Sequence, residues 1–402
     1  MEAQQTMEFE FWWLLAFPLF FALGWLAARI DIKHVISESS ELPESYFKGL
    51  NFLLNEQPDQ AIEVLSEVVQ SEKPEAVELN FALGSLFRRR GEVDRAIRMH
   101  KSIVDRSYLS NEQKLAAVFE LAQDYKKAGL LDSAEQLFSD LQKTTYSKVA
   151  LKFLLEIYQQ EKDWSKAIQT ARQLSTAEHP HRKVISHFYC ELAVIESAHS
   201  NPEASKAYLE EALKENRRCV RATILMGDQE VALTNHEGAI QIWKRVETQD
   251  PRYISLVAGK LLASYRALDK VDLGLALLRG YLAQYPSADL LNIVYQGMLE
   301  HQGAENAYRT LRDELRRNPT LQGLTRLLEA QLQDMPVDRQ QDLLLIKNLL
   351  HQHTRQLAMF RCDSCGFEAR QFHWYCPACG GWETFPPRRR EETEFGHLLS
   401  HA

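Results

Sequence analysis

The chain has 402 residues, 45% hydrophobic and 25% charged, a globular composition long enough for two or three domains. Its 55 acidic against 47 basic residues give a formal net charge of -8, which argues against a general nucleic-acid binder needing a dominant positive field. Six cysteines, four of them clustered near the C-terminus, are too few for a secreted disulfide framework.

Residues 1–10 are acidic and lack Lys and Arg; Met7 is an alternative start. Phe11 to Ala28 then reads FWWLLAFPLFFALGWLAA, eighteen residues without a charge. As a helix this would be about 27 Å long, close to the hydrocarbon thickness of a bilayer. Trp12, Trp13 and Trp25 lie near its ends, where indole rings favour the interface. A cleaved signal peptide needs a basic start, which is missing. The span therefore reads as an uncleaved transmembrane anchor over 11–28. Arg29 and Lys33 follow it, so the N-terminus at 1–10 faces out and everything beyond a linker at 29–43 faces the cytoplasm.

From Glu44 to Met335 one pattern recurs. A small residue on a first helix is followed twelve positions later by another on a second helix. The first set is Gly49, Gly84, Ala122, Leu155, Ala193, Gly227, Leu262 and Tyr295; the second is Ala61, Ala96, Ala134, Ala167, Ser205, Ala239, Gly274 and Ala307. Spacings within the first set are 35, 38, 33, 38, 34, 35 and 33 residues, around the tetratricopeptide period. Small residues let paired helices approach closely. Large ones, such as Phe87, Tyr158 and Tyr265 on first helices and Leu65, Phe138 and Trp243 on second helices, fill the grooves between units. Leu155, Leu262 and Tyr295 break the small-residue rule, so their units are expected to pack differently. Pro251, Pro286 and Pro319 stop second helices, and Gly91, Gly129 and Gly303 fall at turns. About eight repeats thus span 44–335, and 336–359 reads as a closing helix.

No nucleophile elbow, phosphate loop or H-E-x-x-H motif occurs, so an enzyme is not expected. Arg88, Arg89, Arg90, Arg95 and Arg98 crowd one turn, either a solvated surface or a dock for an acidic partner. Cys190 and Cys219 stand alone in the sequence; Cys190 sits among apolar residues and reads as a small buried hydrophobe.

Residues 360–386 carry the most specific chemistry, CDSCGFEARQFHWYCPACGGW. Two C-x-x-C pairs converge four thiolates, Cys362, Cys365, Cys376 and Cys379, on one point, a soft tetrahedral site for a single Zn or Fe ion. Gly366 and Gly380 suit the turn after each pair. Four protein ligands leave no open coordination position, which disfavours metal-assisted hydrolysis. Phe372, Trp374, Tyr375 and Trp382 are expected to wall the site, and the ion to supply stability that so short a module lacks. With five Arg, no Lys and six acids from Arg361 onward, this end carries no nucleic-acid surface. Residues 387–402 read as a mixed-charge flexible tail.

Anchor, repeats and terminal knot in this order resemble the lipopolysaccharide assembly protein B family of Gram-negative bacteria. The stretches GLNFLLNEQPDQAIEVL, LGSLFRRRGEVDRAIRMH, HFYCELA, RNPTL and RCDSCGF…WYCPACGGW carry the likeness. The resemblance implies an all-α tetratricopeptide-repeat solenoid with an N-terminal transmembrane helix and a small C-terminal rubredoxin-like, zinc-ribbon domain whose ligands are the four cysteines above. The pairs are closer together than in a true rubredoxin, which favours a structural ion over electron transfer. It further implies a single-pass protein of the cell inner membrane, its bulk cytoplasmic, that limits lipopolysaccharide synthesis. Its partners would be the FtsH protease, the UDP-3-O-acyl-N-acetylglucosamine deacetylase whose degradation it promotes, and a lipopolysaccharide-sensing inner-membrane regulator. Rival expectations are a scaffold for lipopolysaccharide assembly enzymes and an adaptor that senses oxidants or metal through the knot. Homo-oligomer formation stays open at this stage.

Overall fold

The computed structural model describes residues 18, 20–25, 48–49, 51–52, 57–69, 77–175, 181–334, 336–354 and 359–389. The expected N-terminal segment 1–10 and linker 29–43 lie outside these residues. So do most of the anchor at 11–28 and residues 390–402 of the tail. Within the anchor, residues 20–25 are helical and Phe20, Phe21, Leu23 and Trp25 are exposed. Among the described residues no helix is long and apolar enough to cross a membrane.

The rest is a succession of helices: α1 (Pro58–Val69), α2 (Val77–Arg90), α3 (Val93–Val104), α4 (Asn111–Ala128), α5 (Leu131–Leu141), α6 (Ser147–Glu161), α7 (Trp164–Leu174), α8 (Arg182–Ala198) and α9 (Pro202–Glu215). They continue as α10 (Val220–Ala232), α11 (His236–Gln249), α12 (Ile254–Ala267), α13 (Val271–Gln284), α14 (Ala288–Gln302), α15 (Ala304–Arg317), α16 (Leu321–Asp334) and α17 (Val337–Thr354). A two-stranded antiparallel ribbon, β1 (Phe360–Arg361) and β2 (Glu368–Ala369), pairs Phe360 with Ala369 and Arg361 with Glu368. Two compact units divide the chain, Met1–Ile157 and Tyr158–Ala402.

In the first unit the repeat's close approach is explicit. A Cβ on Gly49 would stand 2.3 Å from Leu65, and one on Gly84 would stand 2.4 Å from the His100 ring. Ala61, Ala96 and Ala134 are fully buried on the second helices. His100 in turn meets Asp124 of α4 at 2.5 Å, and Asp124 also accepts from Arg88. The arginine cluster is largely spent inside the unit. Arg88 pairs with Glu120 and Asp124, Arg90 with Asp59 and Glu92, and Arg95 with Glu92 while lying over Phe87. Phe138 and Phe153 stack, and Phe119 meets both edge-on, forming one aromatic knot.

The second unit repeats the rule with different residues. A Cβ on Gly227 would lie 2.1 Å from the Trp243 indole, whose Nε1–H donates to the Ile224 carbonyl. The exceptional units make room elsewhere. Leu262, where a small residue is expected, fits against Gly297 of α14, where a Cβ would approach it to 2.7 Å. Gly274 similarly receives Tyr265 of the preceding helix. Residues 321–334, which show no repeat signature, form α16, and α16 packs on α17.

From α2 to α14, each first helix is followed one or two residues on by a residue of positive φ: Gly91, Gly129 and Gly303, but also Lys162, Ser200, Thr234 and Asp269. At six of these turns, all but that at Gly303, the next amide bonds back to a carbonyl five residues earlier, as in Asp163 to Tyr158, Asn201 to Glu196, Asn235 to Glu230 and Lys270 to Tyr265. Asp163, Asn201 and Asn235 then cap the following helix by accepting an amide from its first turn. Four of these turns carry no glycine, so sequence inspection for glycine finds only the other three.

Candidate metal centre and its docking on the repeats

Two knuckles build the site. The amide of Gly366 donates to the Cys362 carbonyl and that of Gly380 to the Cys376 carbonyl, each at 2.9 Å. Both glycines have positive φ, 75° and 70°, which L side chains rarely adopt. Further amide bonds, Cys362 to Phe367 and Cys376 to Gly381, close each loop behind its first cysteine. The two turns face each other, and the thiol sulfurs of Cys362, Cys365, Cys376 and Cys379 all lie within 4.8 Å of one another.

The Sγ–Sγ separations include 3.8 Å for Cys362–Cys379 and 3.7 Å for Cys365–Cys376. Four sulfurs at a zinc–sulfur distance of about 2.3 Å around a tetrahedral ion would be separated by roughly 3.8 Å. The cradle therefore has the size that such an ion needs. Cys362 and Cys376 are buried, whereas Cys365 and Cys379 are exposed.

The module's own core differs from expectation. Phe360 and Phe385, with Cys362 and Cys376, form it. Trp374 and Trp382 turn outward, because the aromatic surface they would cover is on the repeats. Tyr375 is 40% exposed and pairs with Trp382 through an isolated bridge. Phe372 is shared between the two sides, packing on the module core and on the repeat core.

Trp382 stacks on the His187 ring at 4.8 Å and 18°, and meets Phe188 and Trp164 edge-on. Its indole N–H donates to Gln159 Oε1 at 3.1 Å, and the Arg221 guanidinium lies 5.8 Å from its ring centre. Trp374 stacks on Tyr253 at 5.1 Å and 10°. His187 Nε2 donates to Glu383 Oε1 at 3.0 Å. Arg389 forks both ways onto Asp289, each nitrogen–oxygen contact at 3.0 Å, and bridges back to Phe360. The described part of the module runs through Arg389, whose ion pair with Asp289 joins it to the repeats; residues 390–402 of the expected tail lie outside the described residues.

Burial works against ionisation of Glu383, but the hydrogen bond and charge of His187 outweigh it and hold the carboxyl below the usual range. Burial pushes the Tyr253 phenol upward, so it stays neutral beneath Trp374.

This arrangement decides the family question when set beside known proteins. Residues 360–387 match the rubredoxin metal binding domain model, and 48–99 match a tetratricopeptide repeat model. Lipopolysaccharide assembly protein B of Escherichia coli K12 is 32% identical over 379 residues, 93% of this chain and 97% of that protein. The chain belongs to the lipopolysaccharide assembly protein B family. The Haemophilus influenzae Rd member is 29% identical over 94% of this chain and 98% of its own length. Among solved structures, a tetratricopeptide repeat protein from Parabacteroides merdae is 16% identical and covers 71% of this chain and 97% of its own, with a TM-score of 0.28.

For a member of this family, the docking residues are the part that sequence reading missed. Gln159, His187, Arg221, Tyr253 and Asp289 come from five separate helices or turns and share no motif. Cys190 and Cys219, unrelated in sequence, lie with sulfurs 3.9 Å apart one helical turn behind His187. Burial pushes the Cys190 thiol well up, while the hydrogen bond from Cys190 brings Cys219 down to about 6.

Proposed function

We propose that this chain is an inner-membrane adaptor that regulates lipopolysaccharide biosynthesis rather than an enzyme. It holds the UDP-3-O-acyl-N-acetylglucosamine deacetylase for proteolysis by FtsH, under restraint by a lipopolysaccharide-sensing membrane regulator. Its anchor lies at 11–28, with the bulk of the chain on the cytoplasmic side. Tethering in the plane of the membrane raises the effective concentration of such partners without new contacts.

Family membership supports this reading, and one observation carries it furthest. The chain's most chemically distinctive residues, Cys362, Cys365, Cys376 and Cys379, sit in a four-sulfur cradle that is docked on the repeats. One Zn or Fe ion held there would be fully ligated. Its chemistry is that of a structural staple: it ties two knuckles together so that Trp374, Trp382, Glu383 and Arg389 project toward the repeats. Removing residues 360–402 is therefore expected to abolish capture of the deacetylase and the protease from solubilised membranes and to lengthen the deacetylase half-life. Unchanged capture would exclude a docking role for the module; an unchanged half-life with capture retained in the full chain would favour a plain scaffold for assembly enzymes.

The exposure of Cys365 and Cys379 favours a second reading, in which oxidants reach the thiolates and release the module. Mild peroxide would then expel the ion and the partners together. Partner capture that survives loss of the ion would exclude it.

A further inference from the structure

The docked module leaves a groove at its last residues. A cavity of about 360 Å³ runs past three successive inter-repeat corners, Pro251–Arg252, Tyr285–Pro286–Ser287 and Asn318–Pro319–Thr320, and is closed on one side by Pro387 and Arg388. Its panels are apolar, from Ile254, Leu282, Leu290 and Leu291. Its charges are lopsided for a chain of net charge -8. Arg252, Arg317 and Arg388 line it with one acid, Glu314, which is buried with Oε1 accepting from Asn318, while Asp250 stands beside Arg252.

Arg252 is already forked onto Asp250. Arg317 and Arg388 are exposed and close no ion pair among the described residues. Arg388 does face Asp250, but Arg252 occupies that carboxylate. The second corner adds its own signal: Ser287, a lining residue, precedes α14 without capping it, and its Oγ is buried with no hydrogen-bond partner. Two unspent guanidiniums and a positive helix end along an apolar trough ask for carboxylates interleaved with apolar side chains.

We propose that this composite groove binds an extended acidic peptide segment of a partner protein, with carboxylates on Arg317 and Arg388 and apolar side chains between the proline corners. A lone phosphate would engage one cation and leave the apolar panels wet. Because Pro387 and Arg388 supply one wall, occupancy depends on the folded metal module. Such an occupant presupposes the adaptor reading and gives it a contact surface.

The test uses the metal-loaded full chain in detergent and a fluorescein-labelled decapeptide alternating Glu with Leu and Phe. Binding is expected by fluorescence polarisation, weakening at least tenfold when Arg317→Glu and Arg388→Glu are combined and weakening with added salt. Lys206→Glu, on the exposed face of α9, should leave it unchanged. Three results would overturn the proposal: equal binding of the Gln-for-Glu peptide, indifference to the double reversal, or full competition by millimolar inorganic phosphate. Binding only after truncation behind Arg389 would also overturn it, assigning the groove to the chain's own end. Capture of the deacetylase and protease by the same protein reports the adaptor reading separately. Retained capture with no peptide binding removes the groove alone; peptide binding with no capture removes the adaptor reading and leaves the groove's chemistry standing.

Discussion

His187 and Trp382 lie ring on ring, 4.8 Å between centres, although one sits in a repeat helix and the other just beyond the last metal-binding knuckle. The neighbouring residue, Glu383, accepts a hydrogen bond from the same imidazole at 3.0 Å. One histidine, itself fully buried, therefore receives both an aromatic and an acidic contact from the module. Stacking and the charged hydrogen bond reinforce each other because each fixes the ring plane the other needs.

Trp382→Ala should release the module from the repeats. The change removes the stack, two edge contacts and the bond to Gln159, a loss of about 2–4 kcal/mol. Limited proteolysis within 354–390 should accelerate at least tenfold while repeat helicity is unchanged. Equal cleavage rates would show that the indole does not hold the module down.

Removal of the ion should unfold residues 360–389 and leave the repeats helical. A structural site contributes on the order of 10 kcal/mol, more than a small core of Phe360 and Phe385 supplies. Elemental analysis should find one ion per chain, and Cys376→Ser should lose it. Retention of amide protection in the module after chelation would contradict this.

Docking should weaken in acid. The Glu383 carboxyl is held below its usual value in the folded chain, so its contribution is present above the ordinary carboxylate pKa, about 4.3. It is lost as pH falls through the lower, folded value. Trp382 fluorescence relative to Glu383→Gln should show the transition in the parent alone. A transition of the same size in the variant would assign it to another group.

Thr234→Gly should stabilise the second unit by about 1 kcal/mol. Thr234 holds φ at 59°, and a β-branched residue is strained there while glycine is not. Urea unfolding gives the answer directly, and a lowered midpoint would contradict the strain argument.

Two glycines should respond oppositely to alanine. Gly227→Ala drives a methyl to 2.1 Å from Trp243 and should cost about 2–3 kcal/mol. Gly280→Ala meets nothing within 4 Å and should gain about 0.5–1 kcal/mol from helix propensity. Equal responses would mean that close approach does not define the repeat.

Much of this architecture is written locally. A small residue must sit where two helices touch, so Gly84, Ala96, Gly227 and Ala239 reveal the helix pairs without coordinates. Thiolates must converge to hold an ion, so the two C-x-x-C pairs reveal the cradle. The fit of Leu262 against Gly297 and of Tyr265 against Gly274 was not legible, because a compensating gap can lie on any facing helix. The left-handed turns at Lys162, Ser200, Thr234 and Asp269 escaped for a related reason: packing imposes the conformation against local preference.

The sequence by itself determined the period, the helix pairs and the four sulfurs, since each depends on spacing along a few dozen residues at most. Only the tertiary structure decided what the module rests on. Gln159, His187, Tyr253 and Asp289 are brought together by the stacking of successive repeats, and nothing in their sequence separation encodes that they share one surface. The same stacking redirects Trp374 and Trp382 from the metal module's interior to its contact face, where a neighbouring aromatic surface buries them better than so small a core can.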